Sequence, residues 1–389
     1  MIAAMQQSVM QDISDIGSDT RWGLMLGQFK WVYAFFSPLG GWLADRYSKK
    51  ITICGSLFVW SVVTWATGQV VTYNGLLWTR TLMGISEAFY IPAALALIAD
   101  YHTGHTRSRA VGIHQIGIYS GVIIGSFAGY VADAPSLGWR WAFDLTGLAG
   151  VIYALPLLFF LKDQPVASRQ AKGANTTLAA SFFALLGNGS FILLVLYFTL
   201  PAMAGWVVRD WMPGVLRKEL NLQQGIAGVS AVVYWQGAAI ASAIFGGWLA
   251  DYWMRRTSRG RIYVSALGMC CIIPAMLGVG IVISQGSLSL AVAFLILFGI
   301  GWGLFDCNNM PILSQIVPPH LRATGYGVMN MVSISCGGLA DLGFGMLRDK
   351  QVPLQLIFGA FASIALVSVV LVLLIRPRAE LSDGLEEKK

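Results

Sequence analysis

Long apolar segments, separated by short polar loops, follow one another along almost the whole chain. Eleven of them reach the length of about 20 residues with which an α-helix crosses the hydrocarbon core of a bilayer. These predicted spans are residues 22–44, 51–72, 76–99, 109–132, 141–161, 179–205, 225–250, 262–283, 288–312, 324–346 and 353–375. The pattern therefore predicts an all-α membrane protein.

A shorter apolar stretch, Met1 to Met10, precedes the first of these spans. It has about half the length that a span requires, so we interpret it as the outer half of a first helix whose beginning lies outside this sequence. The intact protein would then have about twelve spans, with both ends on one side of the membrane. A true eleven-span protein is the alternative, but it would break the internal pairing of spans described below.

Composition supports a membrane protein and excludes several other classes. With 56% hydrophobic and 12% charged residues and a mean hydropathy of +0.65, the chain is too apolar to be a soluble domain of this length. Its net charge of +7 does not indicate a nucleic-acid partner, because the basic residues lie in short clusters between apolar segments. The five cysteines lack the spacing of a metal site or a disulfide framework. We therefore expect no metal, no other cofactor and a monomer in the lipid bilayer.

The distribution of Lys and Arg over the loops predicts the orientation. Seventeen of the 26 lie on one side and seven on the other, while Lys30 and Arg80 lie within spans. By the positive-inside rule the richer side is cytoplasmic, which places both termini of the intact protein in the cytoplasm. This arrangement fits a multi-pass protein of the cell membrane, such as a bacterial inner membrane.

The chain is predicted to divide into two helix bundles. The bundles are residues 1–162 and 179–376, joined by a polar cytoplasmic linker at 163–178 and followed by a cytoplasmic tail at 377–389. An internal repeat supports the division, since Gly41–Asp45 recurs letter for letter as Gly247–Asp251. Each copy ends a span and begins a basic loop. A second, looser repeat pairs the intramembrane acid Glu87 with Asp306.

Arg80 and Glu87 are the most informative polar residues within a span. They are seven residues apart, about two helical turns, and so lie on nearly the same face of one helix. Ionisable side chains at membrane depth usually face a partner or a watered cavity. Arg80 is therefore a candidate for binding an anionic substrate and Glu87 a candidate for proton coupling. A structural ion pair that braces the helix is the alternative.

Lys30 and Tyr33 lie one turn apart in the first predicted span. They are predicted to offer an ammonium and a phenol to the same ligand. A lysine that extends to the membrane surface is the alternative, although Lys30 lies about eight residues into its span.

A polar group formed by Asp306, Asn308 and Asn309 precedes Pro311 in the span 288–312. Polar groups need partners where lipid is the solvent, and a proline frees a backbone carbonyl, so we predict a bent helix that lines a cavity. The asparagines are candidate substrate ligands and Asp306 a second candidate for the coupling acid, with H⁺ or Na⁺ as the coupling ion. Helix packing through interhelical hydrogen bonds is the alternative.

Other polar residues within or near the spans are less distinctive. Candidate substrate-binding residues, for which packing is the alternative, are His114, Gln115 and Tyr119 on one wall and Tyr234, Gln236 and Asn330 on the opposite wall. Arg209 and Asp210 are expected near the outer mouth, as an interfacial anchor or a gate. Charges at the basic ends of spans can tie the two halves together in one state and release them in another. The candidate gating residues are Asp45, Arg46, Asp100, Asp251 and Arg255.

Several of these residues resemble signatures of the major facilitator superfamily. The loop Gly41–Lys50 looks like the loop between helices 2 and 3 of that family, with Ser48 in place of the usual glycine, and Arg80, Gly84 and Ala88 are similar to its helix-4 signature. The resemblance covers almost the whole chain. It implies two pseudo-symmetric six-helix bundles around a midplane site, working by alternating access, with the signature loop in a gating role.

Within the superfamily three subgroups look similar. Arg80, Glu87 and Tyr33 match the arginine, glutamate and tyrosine that line the substrate and proton site of anion:cation symporters of sugar acids. Asp210–Pro213 is similar to helix 7 of organophosphate:phosphate antiporters, but Gly205 stands where those have a phosphate-binding arginine. The residues around Glu87 are also similar to spinster-type lipid transporters.

The favoured function is therefore cation-coupled symport, with H⁺ first, of a small organic anion such as a sugar acid. The expected partners are that anion and the lipid bilayer. One alternative is an exporter or exchanger of lipid-like or drug-like amphiphiles, and another is a membrane sensor that does not transport. An enzyme is not indicated, because the sequence has no metal-ligand cluster, nucleophile elbow or phosphate loop.

Overall fold

The computed structural model describes residues 1–46, 48–102, 105–163, 178–318 and 321–378. These residues form fifteen α-helices and no strand. The helices are α1 (Gln6–Asp12), α2 (Asp19–Arg46), α3 (Lys49–Gln69), α4 (Tyr73–Tyr101), α5 (His105–Ser126), α6 (Ala128–Asp133), α7 (Gly138–Phe160), α8 (Leu178–Leu186), α9 (Gly189–Leu220), α10 (Gln224–Met254), α11 (Gly260–Ser284), α12 (Leu288–Asp306), α13 (Asn309–Ile316), α14 (Arg322–Asp349) and α15 (Leu354–Leu374).

Each predicted span coincides with one helix or with a broken pair of helices, so the all-α fold is confirmed. Nine helical segments in the described ranges have the length and apolar composition of a membrane span. α2 and α14 are also long, at 28 residues each, but more polar. Each carries a charged residue well inside the helix, Lys30 in α2 and Asp341 in α14. A charge at that depth in a membrane needs a partner.

The predicted end of the span 179–205 is wrong. The helix breaks at Asn188, whose side chain caps α9 by accepting hydrogen bonds from two backbone N–H groups. From there α9 continues to Leu220, well beyond the predicted end at residue 205, with Pro201 and Pro213 inside the helix. Arg209 and Asp210, expected near the outer mouth, therefore lie inside this helix, about three turns before its end.

The stretch Met1–Met10, expected to form the outer half of a helix, is helical from Ile2 onward, as a 3₁₀ turn followed directly by α1. Two 3₁₀ turns, Ile2–Met5 and Ser14–Ile16, flank α1. The apolar side chains of Met5, Val9, Ile13 and Ile16 are fully or almost fully buried. The segment packs lengthwise against α6, α9 and α10.

The helices form two groups, which we call the N-half (α2 to α7) and the C-half (α8 to α15). α3 packs on α4 and α7 in the N-half, and α10, α11, α12 and α15 pack on one another or on α9 in the C-half. The halves contact each other mainly through α2 against α14 and through α10 against α5 and α6. The predicted linker and tail lie almost wholly outside the described residues.

We call the end of the molecule that carries the α2–α3 and α10–α11 loops the basic end, and the other the opposite end. α2 begins and α14 finishes at the opposite end. There the Asp349 carboxylate accepts hydrogen bonds from the backbone N–H groups of Asp19, at 2.9 Å, and Thr20, at 2.8 Å. N–H groups in a first helical turn have no partner within their helix, so Asp349 ties the start of α2 to the end of α14.

Glycines bring α2 and α14 into backbone contact along this seam. A Cβ atom at Gly23 would lie 2.4 Å from the backbone oxygen of Asp341, and one at Gly345 would lie 2.3 Å from that of Asp19. A larger residue at either position would force the helices apart. The α2–α14 seam therefore closes the opposite end between the two halves.

A second contact between the halves lies at the same end. The Asp133 carboxylate, at the end of α6, accepts hydrogen bonds from the backbone N–H of Gly225 at 2.9 Å and the side chain of Gln224 at 3.0 Å. Both residues belong to the first turn of α10. The α2–α14 seam and this contact together hold the two halves closed at the opposite end of the molecule.

Candidate functional site

Lys30 lies in a buried cluster with two aspartates. Its ammonium nitrogen is 2.6 Å from Oδ2 of Asp210, on α9, and also forms an ion pair with Asp341, on α14. The same nitrogen lies 4.2 Å from the ring centroid of Trp206, a cation–π distance. Lys30 is 2% and Asp341 0% exposed. The lysine predicted to offer a free ammonium to a substrate is thus already paired, across the boundary between the halves.

Asp341 is not among the residues predicted from the sequence, and Asp210 is expected there only as an anchor or a gate near the outer mouth. The predicted span 179–205 ends before Asp210, so the sequence places this residue at the membrane surface instead of inside α9. Asp341 lies inside the predicted span 324–346, so it is an intramembrane acid that the sequence alone marks for a functional role. A search for all ionisable residues within spans would have found it.

Arg80, on α4, is a buried cation with unused hydrogen-bond donors. It is 7% exposed, and among the described residues its Nε and Nη2 atoms have no hydrogen-bond partner. It forms no ion pair with Glu87 within 4.0 Å in the described structure. The arrangement is therefore not the helix-bracing ion pair that was the alternative. A buried guanidinium without partners is unfavourable by itself, so an anion bound there would be stabilised.

Glu87 lies further along α4, half-buried, and interacts electrostatically with both Arg80 and Arg209. Tyr33 on α2 is near enough to interact with Glu87 in the same way. α2 and α4 approach closely here, since a Cβ atom at Gly84 would lie 2.8 Å from the backbone oxygen of Phe29. Of the predicted site, the structure therefore brings Arg80, Glu87 and Tyr33 into one region.

Tyr119, on α5, connects the halves near the middle of the helices. Its hydroxyl donates a hydrogen bond of 3.2 Å to Oδ2 of Asp306, on α12. Gln115 lies beside Tyr119 and is exposed. His114 stacks on Tyr90 of α4, with ring centroids 6.0 Å apart, which corresponds to the packing alternative for this residue.

The predicted bend before Pro311 is present as a break between α12 and α13. The Asn308 side chain donates to the backbone oxygen of Leu304 at 2.9 Å, so it stabilises the break. Asn309 is 2% exposed, and neither polar atom of its amide has a partner among the described residues. Its amide lies beside the Asp306 carboxylate and interacts with it, although without standard hydrogen-bond geometry.

The remaining predicted wall residues are not gathered at one point. Asn330 lies beside Tyr326 on α14. On α10, Tyr234 is 46% exposed whereas Gln236 is 3% exposed, because residues two positions apart face different sides of a helix. These three assignments remain predictions.

Two of the candidate gating residues form ion pairs within their own half. Asp100 pairs with Lys49 in the N-half, and Asp251 lies 3.8 Å from Arg261 in the C-half. Arg255 directly follows α10 at the basic end. The side chains of Asp45 and Arg46 lie outside the described part of the structure. The predicted tie between the halves at the basic end remains a prediction.

Comparison with known proteins places the chain among transporters. The profile of the Major Facilitator Superfamily matches residues 1–341. The chain is 28% identical over 337 residues to protein spinster homolog 1 of Xenopus tropicalis, covering 81% of the chain and 63% of that protein. It is 26% identical to protein spinster of Drosophila melanogaster, covering 86% and 56%. The chain thus spans about three fifths of the length of these curated relatives.

Solved structures show the same fold. A bacterial homolog of the human lysosomal transporter spinster, in an inward-facing and unoccupied conformation, superimposes with a TM-score of 0.76 at 20% identity, covering 99% of this chain and 92% of that one. A D-xylose–proton symporter superimposes with a TM-score of 0.77 at 15% identity, covering 96% and 91%. At these identities the likeness concerns the fold alone.

Proposed function

Since this chain belongs to the Major Facilitator Superfamily, a family of membrane transporters and not of enzymes, we propose that it carries a small organic anion together with H⁺ by alternating access. It is a multi-pass membrane protein. We propose further that the basic end faces the cytoplasm of the cell membrane, with both termini of the intact protein there, because Lys and Arg prefer that side.

The observation that carries the proposal is the guanidinium of Arg80, whose Nε and Nη2 have no hydrogen-bond partner within the described ranges. Lys30, the other intramembrane cation predicted to attract substrate, has two aspartates as partners, so Arg80 is the better anion ligand. A guanidinium presents several N–H donors in a plane and matches the two oxygens of a carboxylate. A sugar acid would bind Arg80 through its carboxylate, and Tyr33 and Asn309 would bind its hydroxyls.

Glu87 is the proposed carrier of the coupled proton. Arg209 and Arg80 both stabilise the ionised form of Glu87, and Arg80 does so as long as it has no other anion to bind. When a substrate anion neutralises Arg80, that stabilisation weakens and Glu87 takes up a proton more readily. Anion and proton would then bind cooperatively, as symport requires. Asp306, bound by Tyr119 across the halves, is the second candidate for this role.

An amphiphilic anion is a second candidate substrate. It is favoured by the likeness to spinster proteins, which extends over 81% of the chain at 28% identity in one relative. The same Arg80 would bind the headgroup of such a molecule. The two candidates therefore differ in the apolar part of the ligand and not in its charge.

A thermal-shift screen of the purified protein separates these candidates. D-glucuronate represents sugar acids, D-glucose is its neutral counterpart, and lysophosphatidylglycerol represents amphiphilic anions. A ligand that binds only the folded protein raises the melting temperature, so we expect stabilisation by one of the two anions, greater at pH 6 than at pH 8, and none by glucose. Stabilisation by glucose as large as by either anion would contradict the proposal. Equal shifts at both pH values would contradict the proton coupling.

A further inference from the structure

Lys30, Asp210 and Asp341 form a buried cluster in which the ionised side chains do not balance in charge. It contains one ammonium and two carboxylates, a net charge of −1 when all three are ionised. The side chains of Lys30 and Asp341 are 3% and 0% exposed, and that of Asp210 is 16% exposed. An uncompensated charge at such a site is unfavourable, and a carboxylate there tends to acquire a proton.

One carboxylate oxygen of the cluster is available for that proton. Oδ2 of Asp341 pairs with Lys30, whereas Oδ1 of Asp341 is buried and has no hydrogen-bond partner among the described residues. Asp210 is better supported as an anion, because it is more exposed and Nε of Arg209 lies 4.0 Å from its Oδ1. The ionised form of Asp341 is therefore less well stabilised than that of Asp210.

Arg209 is the nearest further cation, and it interacts electrostatically with both Asp210 and Asp341. The Arg209 side chain is 44% exposed, so water weakens its interaction with the cluster. Arg209 also interacts with Glu87 on α4. If Arg209 compensated the extra charge fully, the cluster would need no proton, and the experiment below distinguishes that case.

The cluster lies at the α2–α14 seam. Its charge is therefore linked to whether the opposite end is closed. Next to Lys30, the indole N–H of Trp31 donates to the backbone oxygen of Ser335 at 3.0 Å. A Cβ atom at Gly27 would lie 2.9 Å from the backbone oxygen of Gly338. The two helices therefore enclose the cluster only while the opposite end is closed. Separation of α2 and α14 would expose both carboxylates to water, where each is stable as an anion.

We propose that this cluster is a proton-binding site, distinct from Glu87, which takes up one proton at Asp341 when the opposite end closes and releases it when that end opens. With the proton bound, one lysine faces one carboxylate and one carboxylic acid, and the enclosed cluster is neutral. Without it, closure encloses a net negative charge. Low pH therefore favours the closed opposite end. The inference rests on the proposed alternating access but not on the identity of the substrate.

Spin-label distances across the opposite end test the proposal without any substrate. Cysteines would replace Val71, in the α3–α4 loop of the N-half, and Gln285, in the α11–α12 loop of the C-half, both exposed, in a background without native cysteines. Pulsed EPR then gives the ratio of short to long distances in nanodiscs. We expect this ratio to rise about tenfold or more from pH 8 to pH 5.

Variants in which one aspartate of the cluster is replaced by the neutral asparagine test whether the net charge of the cluster causes the pH response. Asp341→Asn should keep the short distance at both pH values, because an amide cannot lose a proton. Asp210→Asn should do the same, since one lysine then faces one carboxylate, and this second variant covers the case that the first does not fold. Asp144→Asn, which changes an acid on α7 within the N-half, should keep the wild-type pH response.

Two results would overturn the proposal. One is a wild-type distance ratio that does not change with pH, as expected if Arg209 balances the cluster. The other is an unaltered pH response in both Asp341→Asn and Asp210→Asn. Failure of the thermal-shift screen together with a pH-dependent distance would instead refute the anion-transport proposal and leave the proton site in place.

Discussion

Replacement of Arg80 by glutamine should lower the initial rate of anion uptake into proteoliposomes by about 100-fold or more. In the part of the chain that the structure describes, Nε and Nη2 of the buried guanidinium have no partners, so an anion bound there gains two charge-assisted hydrogen bonds. Such bonds contribute about 1.5–3 kcal/mol each, and about 1.4 kcal/mol corresponds to a factor of ten. Uptake of glucuronate or lysophosphatidylglycerol, whichever the screen selects, is the measurement.

Arg80→Lys is the matched control for charge. It keeps one positive charge but not the planar pair of donors, so uptake should lie between that of the wild type and that of Arg80→Gln. If the glutamine variant transports at half the wild-type rate or faster, Arg80 is not the anion ligand. The proposed function would then lose the observation on which it depends.

Replacement of Glu87 by glutamine should abolish accumulation driven by a pH gradient while leaving exchange intact. A pH difference of one unit is equivalent to about 1.4 kcal/mol, so one-to-one proton symport accumulates substrate about tenfold. Without a titratable group at position 87 the ratio should fall to about one, because substrate still binds Arg80 but no proton is carried. Steady-state uptake under an imposed pH gradient measures accumulation, and counterflow without a gradient measures exchange.

Asp306→Asn is the companion variant for this experiment. Asp306 is the second candidate for the coupling acid and is bound by Tyr119 at 3.2 Å. If Asp306→Asn loses gradient-driven accumulation and Glu87→Gln keeps it, the roles of the two acids have to be exchanged. If both variants keep it, proton coupling through either acid is wrong.

The apolar pattern was enough to predict the fold. Hydrophobic segments of span length, separated by loops rich in Lys and Arg, identify membrane helices because the bilayer leaves few other structures possible. The pattern failed where polar residues lie inside a helix. The predicted span ends at residue 205, before Arg209 and Asp210, yet α9 continues to Leu220, and Asp210 finds a partner in Lys30 of another helix.

The candidate site was predictable in part. Arg80 and Glu87 follow from their spacing on one helix. The partners of Lys30 do not, because Asp210 and Asp341 are distant in sequence and belong to the other half of the molecule. An ionisable residue within a span signals that a partner exists, but only the packing of α2 on α14 shows which one. Lys30 therefore connects the halves in this structure.

Closure at the opposite end has a consequence for mechanism. Asp349 and the glycines of the α2–α14 seam, together with Asp133, hold the halves together there. Alternating access requires these contacts to separate as the basic end closes. The candidate gating residues at the basic end are therefore expected to form contacts between the halves only in the alternative state.

The number of protons taken up when the anion binds tests the central claim most directly. Purified protein in weakly buffered solution near pH 7, with a pH-indicator dye, would receive the anion selected by the screen. We predict uptake of about one proton per bound anion in the wild type and none in Glu87→Gln, since binding at Arg80 and protonation of Glu87 are linked. Binding without proton uptake in the wild type, or equal uptake in the two proteins, would contradict the account.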